Sequence, residues 1–149
     1  MNSQTFEQSI WIEAPLKTVD HAITDEKLMH QWLNPALKCE ALGDWSSELG
    51  AQSIFTIQIP VLQPSLQSMI IERQEGLVVW EFSGFFQGRD RWECQGQNGG
   101  TLLTNTFTFI PANAFIRFGF NVFAAKLTKR DMENQLQRLK RVAESFKHP

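Results

Sequence analysis

Apolar and polar side chains alternate over residues 4–13, with Phe6, Gln8, Ile10 and Ile12 sharing one side. That is the period of a strand with one buried face. Pro15 suits the first position of a helix running to about Ala22, because a helix N-terminus does not need its missing N–H. Thr24 and Asp25 suit the cap of a second short helix, whose apolar side is Leu28, Met29, Trp32 and Leu33. Asn34-Pro35 stops it. Leu37, Cys39 and Ala41 read as a short, weak strand. Four stretches then read as extended: Phe55, Ile57 and Ile59; Val78, Trp80 and Phe82; Asp90, Trp92 and Cys94; and Leu103, Asn105, Phe107 and Phe109. In the last stretch Thr104, Thr106 and Thr108 take the outer face. Leu66 to Arg73 is also extended, with its inward phase open. Glu75-Gly76 and Asn98-Gly99-Gly100 are turn signals, since Gly and Asn tolerate positive φ.

From about Asn113 to Phe146 the period becomes helical. Phe115, Phe118, Val122, Ala125, Met132, Leu136, Leu139, Ala143 and Phe146 form one stripe for the sheet. Ile116, Phe120, Phe123 and Leu127 form a second stripe on the far side, where Arg130, Asn134 and Arg141 follow. A helix needs one apolar face to pack on a sheet. The second stripe therefore calls for a dimer contact, a membrane surface or a covering loop; an irregular lid over residues 112–127 is the alternative. The expected fold class is α+β: a seven-stranded curved antiparallel sheet gripping a long C-terminal helix, with two short helices after the first strand. A bent sheet facing a long helix leaves space for a pocket. Its expected lining is Phe55, Ile57, Trp80, Phe82, Asp90, Trp92, Asn105, Phe107, Phe118 and Val122.

Composition narrows the function classes. The 149 residues fit a single domain, 1–149, and 42% hydrophobic residues supply a core. Twelve Phe and five Trp but no Tyr remove any tyrosine acid or tyrosinate from consideration. A net charge of -2 gives no reason to expect nucleic acid. Cys39 and Cys94 read as free thiols, and the N-terminus lacks the pattern of a signal peptide, so a cytoplasmic location is expected. His21, His30 and His148 lack ligand spacing, so neither a metal nor another cofactor is expected. No Gly-x-Ser-x-Gly elbow, phosphate loop or dinucleotide fingerprint occurs.

Ile12-Glu13-Ala14-Pro15, Val19, Ile23-Thr24-Asp25, Met29 and Trp32 together resemble the opening of the START-like (SRPBCC) superfamily, the polyketide cyclase/dehydrase-like helix-grip proteins. Leu49-Gly50, Val78-Val79-Trp80, Gly88-Arg89-Asp90-Arg91-Trp92 and the run from Gly99 to Thr104 agree with it. So does the Asp131, Leu136, Leu139, Ala143, Glu144 pattern. The resemblance covers nearly the whole chain and implies the helix-grip fold with an apolar cavity. Many relatives have a His where this chain has Asp90, and often a Glu near Phe107. Both landmarks differ here, so the resemblance carries no catalytic role across.

Three polar residues, Gln8, Asp90 and Asn105, fall on faces that otherwise read as inward. Asp90 is either a solvated rim residue or a group that orients a ligand. If it is enclosed, it must be paired, hydrogen-bonded or partly protonated. Arg89 and Arg91 should point to the opposite face. Asn105 is either a ligand contact or a structural hydrogen bond. The leading expectation is binding or transport of a hydrophobic small molecule (lipid, isoprenoid or polyketide-like). A cyclase/dehydratase-type enzyme, with Asp90 as acid/base and Asn105 orienting, is the second. An interaction module with an incidental cavity is the third.

Overall fold

The computed structural model describes residues 4–58, 65–84, 86–111 and 129–146. Strand β1 (Gln4–Ile12) is followed by helices α1 (Leu16–Thr24) and α2 (Glu26–Trp32). Six strands come next: β2 (Leu37–Ala41), β3 (Gln52–Ile57), β4 (Ser65–Gln74), β5 (Leu77–Gly84), β6 (Phe86–Gln97) and β7 (Gly100–Pro111). The described part of the last helix, α3, is Lys129–Glu144. The strands form one antiparallel sheet in the order β1-β7-β6-β5-β4-β3-β2. It curls into a half-barrel against which α3 packs, in the expected α+β arrangement.

Local chemistry sets the boundaries. Asp25 caps α2, its Oδ2 accepting from the Leu28 N–H at 3.0 Å. Pro15 stands one place before α1 rather than in its first turn, and α1 runs on to Thr24. The Thr24 hydroxyl donates to the Asp20 carbonyl within that last turn. Asn98 (φ 50°) and Gly99 (φ 82°) make the two-residue turn between β6 and β7, both in the left-handed region that a tight hairpin needs.

The inward phase of β4, which its sequence leaves open, is Leu66, Ser68 and Ile70. Ile71 is then an extra residue: Ile70 faces Trp80 across the ladder, whereas Glu72 faces Val79. This bulge reverses the parity of the strand. Arg73 therefore lies opposite Val78, on the concave side, and clasps Asp20 of α1 with two N–H···O contacts of 2.7 and 2.8 Å.

The core lies where α1, α2 and α3 close one end of the half-barrel. Ile12, Val19, Ala22, Trp32, Trp92, Leu103, Leu139 and Ala143 are enclosed there. Trp32 and Trp92 meet with ring centroids 5.0 Å apart, and the Trp32 indole donates to the Ala22 carbonyl. Met132, Leu136, Leu139 and Ala143 carry the α3 stripe, while Arg130, Asn134 and Arg141 face outward. Phe146 leaves the stripe: the helix has ended at Glu144, and the ring is 46% exposed. Phe115, Ile116, Phe118, Phe120, Val122, Phe123, Ala125 and Leu127 lie outside the described residues.

Candidate functional site

The strand registers put one continuous row of aromatic rings on the concave face. Phe55 on β3 meets Phe82 on β5 edge-on, centroids 5.3 Å apart. Phe82 is 6.3 Å from Phe107, and Phe107 is 5.5 Å from its neighbour on β7, Phe109. Phe109 stacks on Phe6 of β1 at 6.0 Å. Between Phe82 and Phe109 the ladder holds Gly88, where an added Cβ would lie 2.8 Å from the Thr108 carbonyl oxygen. A side chain there would have to displace backbone, so glycine keeps β6 and β7 close beside the rings.

Asp90 lies two residues further along β6, between Trp80 on β5 and Phe107 on β7. It is part-buried, and both its carboxylate oxygens are hydrogen-bonded within the sheet. Its Oδ1 accepts from the Asn105 amide at 2.7 Å, and its Oδ2 accepts from the Trp92 indole N–H at 3.0 Å. The second Asn105 amide proton goes to the Arg91 carbonyl at 3.1 Å. Burial pushes the Asp90 carboxyl up to about 6, and the hydrogen bonds from Asn105 and Trp92 only partly oppose that rise. Among the described residues no neighbouring charge contributes to the shift. Arg89 and Arg91 point to the other face, as strand alternation requires, and pair there with Glu81 and Glu93.

The two polar residues singled out on neighbouring strands are thus brought together, and Gln8 stands directly across the ladder from Asn105. Of the described strand positions on the concave face, only Asp90 and Arg73 carry charge, and Arg73 is bound to Asp20. The aromatic positions Phe55, Trp80, Phe82 and Phe107 share the face. Ile57 and Trp92 share it too. Phe55, Ile57, Trp80, Phe82 and Trp92 are all buried in the core, while Phe107 is only partly buried against it. Trp92, sealed most completely with Ile57, contributes its N–H rather than its ring surface. Phe118 and Val122 lie outside the described residues. The role of the Trp92 indole was not foreseen from sequence. Its signal is the two-residue spacing, which puts Asp90 and Trp92 on one side of a strand.

A second, polar feature lies beside β3. Thr24, Trp45, Ser46, Ser47, Ser53 and Trp80 are among the residues around a crevice of about 10 Å³, room for one water. The hydroxyl of Ser53, one of these residues, hydrogen-bonds to that of Ser68 on β4. Cys39 and Cys94 are free and buried, and burial pushes both thiols up to about 12, so neither supplies a thiolate at neutral pH. Among the described residues, no group of three or more His, Cys, Asp or Glu is placed to hold a metal ion.

A family model described as polyketide cyclase / dehydrase and lipid transport matches residues 3–144. The chain belongs to that family. Solved structures share the fold of this cyclase/dehydrase and lipid-transport family member. TTHA0849 from Thermus thermophilus has a TM-score of 0.74 at 13% identity, the match covering 97% of this chain and 100% of that one. The Zhui aromatase/cyclase from Streptomyces sp. R1128 has 0.73 at 13% identity, covering 96% and 94%. Major latex-like protein 151 from Panax ginseng has 0.64 at 12% identity, covering 99% of each. No curated protein matches the chain in sequence. At these identities the solved structures support the fold alone.

Proposed function

We propose that the protein binds a hydrophobic small molecule on the concave face of the sheet and carries or presents it without reacting with it. The observation behind this reading is the aromatic row from Phe55 to Phe6, which runs beside a single hydrogen-bonded carboxylate. Rings on that scale suit an aromatic, isoprenoid or acyl ligand, and one polar group is enough to orient it. The family description, which joins cyclases and dehydrases with lipid transport, is compatible with either a carrier or an enzyme.

A cyclase or dehydratase has one observation in its favour: an Asp90 carboxyl at about 6 titrates where an acid/base group works well. Such chemistry commonly pairs two titratable groups whose environments push them apart. Among the described concave positions, Asp90 has no such partner. The carrier reading is therefore preferred. Contact with a second copy or a bilayer through Ile116, Phe120, Phe123 and Leu127 belongs to the same proposal, as does a cytoplasmic location. Among the described residues no helix is long and apolar enough to cross a membrane.

The test is displacement of an environment-sensitive dye, followed by native mass spectrometry of protein purified from its own host. The carrier reading expects dye binding, competition by long-chain or polycyclic lipids, and an unmodified co-purifying ligand. A folded protein that takes up neither dye nor lipid would refute it. Turnover of the bound ligand, lost in Asp90→Asn, would establish the enzyme instead.

A further inference from the structure

The donors and acceptors around Asp90 are unevenly used. The Trp92 indole has one N–H, and it is given to Asp90 Oδ2. The Asn105 amide has two, given to Asp90 Oδ1 and to the Arg91 carbonyl. The cluster thus has no donor left to offer. A carboxylate has about four lone-pair sites, and only two of these are engaged. What the cluster presents to a guest is acceptor capacity and, when ionised, a negative charge among Trp80, Phe107 and Phe82 that no cation among the described residues pairs with.

We propose that Asp90 makes the site selective for hydrophobic ligands whose polar end donates hydrogen bonds, such as alcohols, phenols or ammonium groups, and makes it reject those ending in a carboxylate. This inference rests on the hydrophobic-ligand reading above. A hydroxyl or ammonium group completes the lone pairs of Asp90. A carboxylate meets a like charge in a site of low polarity and finds the donors of Trp92 and Asn105 already committed. Both effects act in the same direction.

Among the described residues, the groups facing Asp90 make pH a clean handle. Trp80 lies across from it on β5, and Phe107 and Asn105 face it from β7; none of them titrates. On β1, Gln8 is equally neutral. From α3, the Arg138 guanidinium is turned to the Trp32 carbonyl. Arg73 is held by Asp20.

The experiment uses the full chain and a bound environment-sensitive dye, displaced by three probes of one size: naphthol, naphthylmethylamine and naphthoate. At about pH 8, naphthol and the amine should displace the dye at concentrations about tenfold or more below naphthoate, a difference of about 1.4 kcal/mol. In Asp90→Asn the gap should shrink to about threefold or less, or invert. If that variant does not fold, the wild type at about pH 5 answers the same question, because Asp90 is then protonated while naphthoate keeps its charge. Equal or better displacement by naphthoate from the wild type, or a gap unchanged by both the variant and the lower pH, would overturn the selectivity. Failure of the dye and all three probes to bind would overturn the hydrophobic-ligand reading beneath it. An amine preferred far above naphthol would narrow the class to cations and still support the inference.

Discussion

The two ends of the concave face use the same strands for opposite purposes. At the end closed by α1, α2 and α3, Trp92, Trp32, Leu103, Leu139 and Ala143 are sealed from solvent. There the polar groups are tied back to the protein, as when the Asn34 N–H donates to Gln135 at 2.8 Å. At the other end Phe107 is only half-buried, and a carboxylate stands among rings with lone pairs to spare. Dense packing at one end and unused polar capacity at the other separate what holds the fold from what is available to a guest.

The sharpest break in that comparison is Leu139→Ala at the sealed end. It should cost about 2–5 kcal/mol in urea unfolding, while the order of ligand preference survives. Next comes Arg73→Ala, which leaves Asp20 almost enclosed without its cation. A loss of about 3 kcal/mol is expected by chemical denaturation, and Arg73→Lys should recover little because the clasp is two-pronged. At the other end Phe107→Ala should cost only about 1 kcal/mol, well under the roughly 3–5 for a packed ring, while dye affinity changes severalfold. A calorimetric loss in the packed range would mean that both ends are core and would dissolve the distinction.

The smallest effect is the most diagnostic. Folding raises Asp90 from 3.8 to about 6. Below about pH 4 the group is protonated in both folded and unfolded chains and contributes nothing. As pH rises through that window the folded state resists ionisation, so stability is lost, and the loss is complete above the folded value. At about 1.4 kcal/mol per pH unit, the whole rise is worth at most about 3 kcal/mol. Asp90→Asn escapes that penalty but turns an amide toward the amide of Asn105. A net gain of about 1 kcal/mol near pH 7 is expected, fading near pH 4 in paired unfolding curves. A variant with the same deficit at both pH values would show that Asp90 is simply structural.

Most of the sheet is legible in the sequence because period-2 alternation survives wherever one face is buried, as it does from Leu103 to Phe109. Arg73 is the counter-example. Parity counted from Leu66 puts it on the outer face with Gln67 and Met69, and only the bulge at Ile71 turns it inward. A bulge leaves little trace in an apolar pattern beyond two adjacent isoleucines. Asp90 is intermediate: its face follows from alternation, but whether it is solvated depends on Trp80 and Phe107, which register supplies. The final helix is legible over Met132 to Ala143, where one stripe is apolar and the other face charged. Phe146 is the exception, since a periodic count does not show where a helix ends.

The Asn98-Gly99 turn has a consequence for how the site arises during folding. Asp90, Trp92 and Asn105 all belong to the one hairpin that this turn closes, and the carboxylate and its amide partner are 15 residues apart in the chain. A short loop carries a small closure entropy, and hairpins pair in roughly 1–10 μs, ahead of slower long-range contacts such as β1 with β7. The polar cluster is thus a local product, its three members brought together within a single hairpin. A change that lengthens the turn, or replaces Gly99 with a β-branched residue, should delay assembly of the recognition chemistry itself, whatever it does to the finished fold.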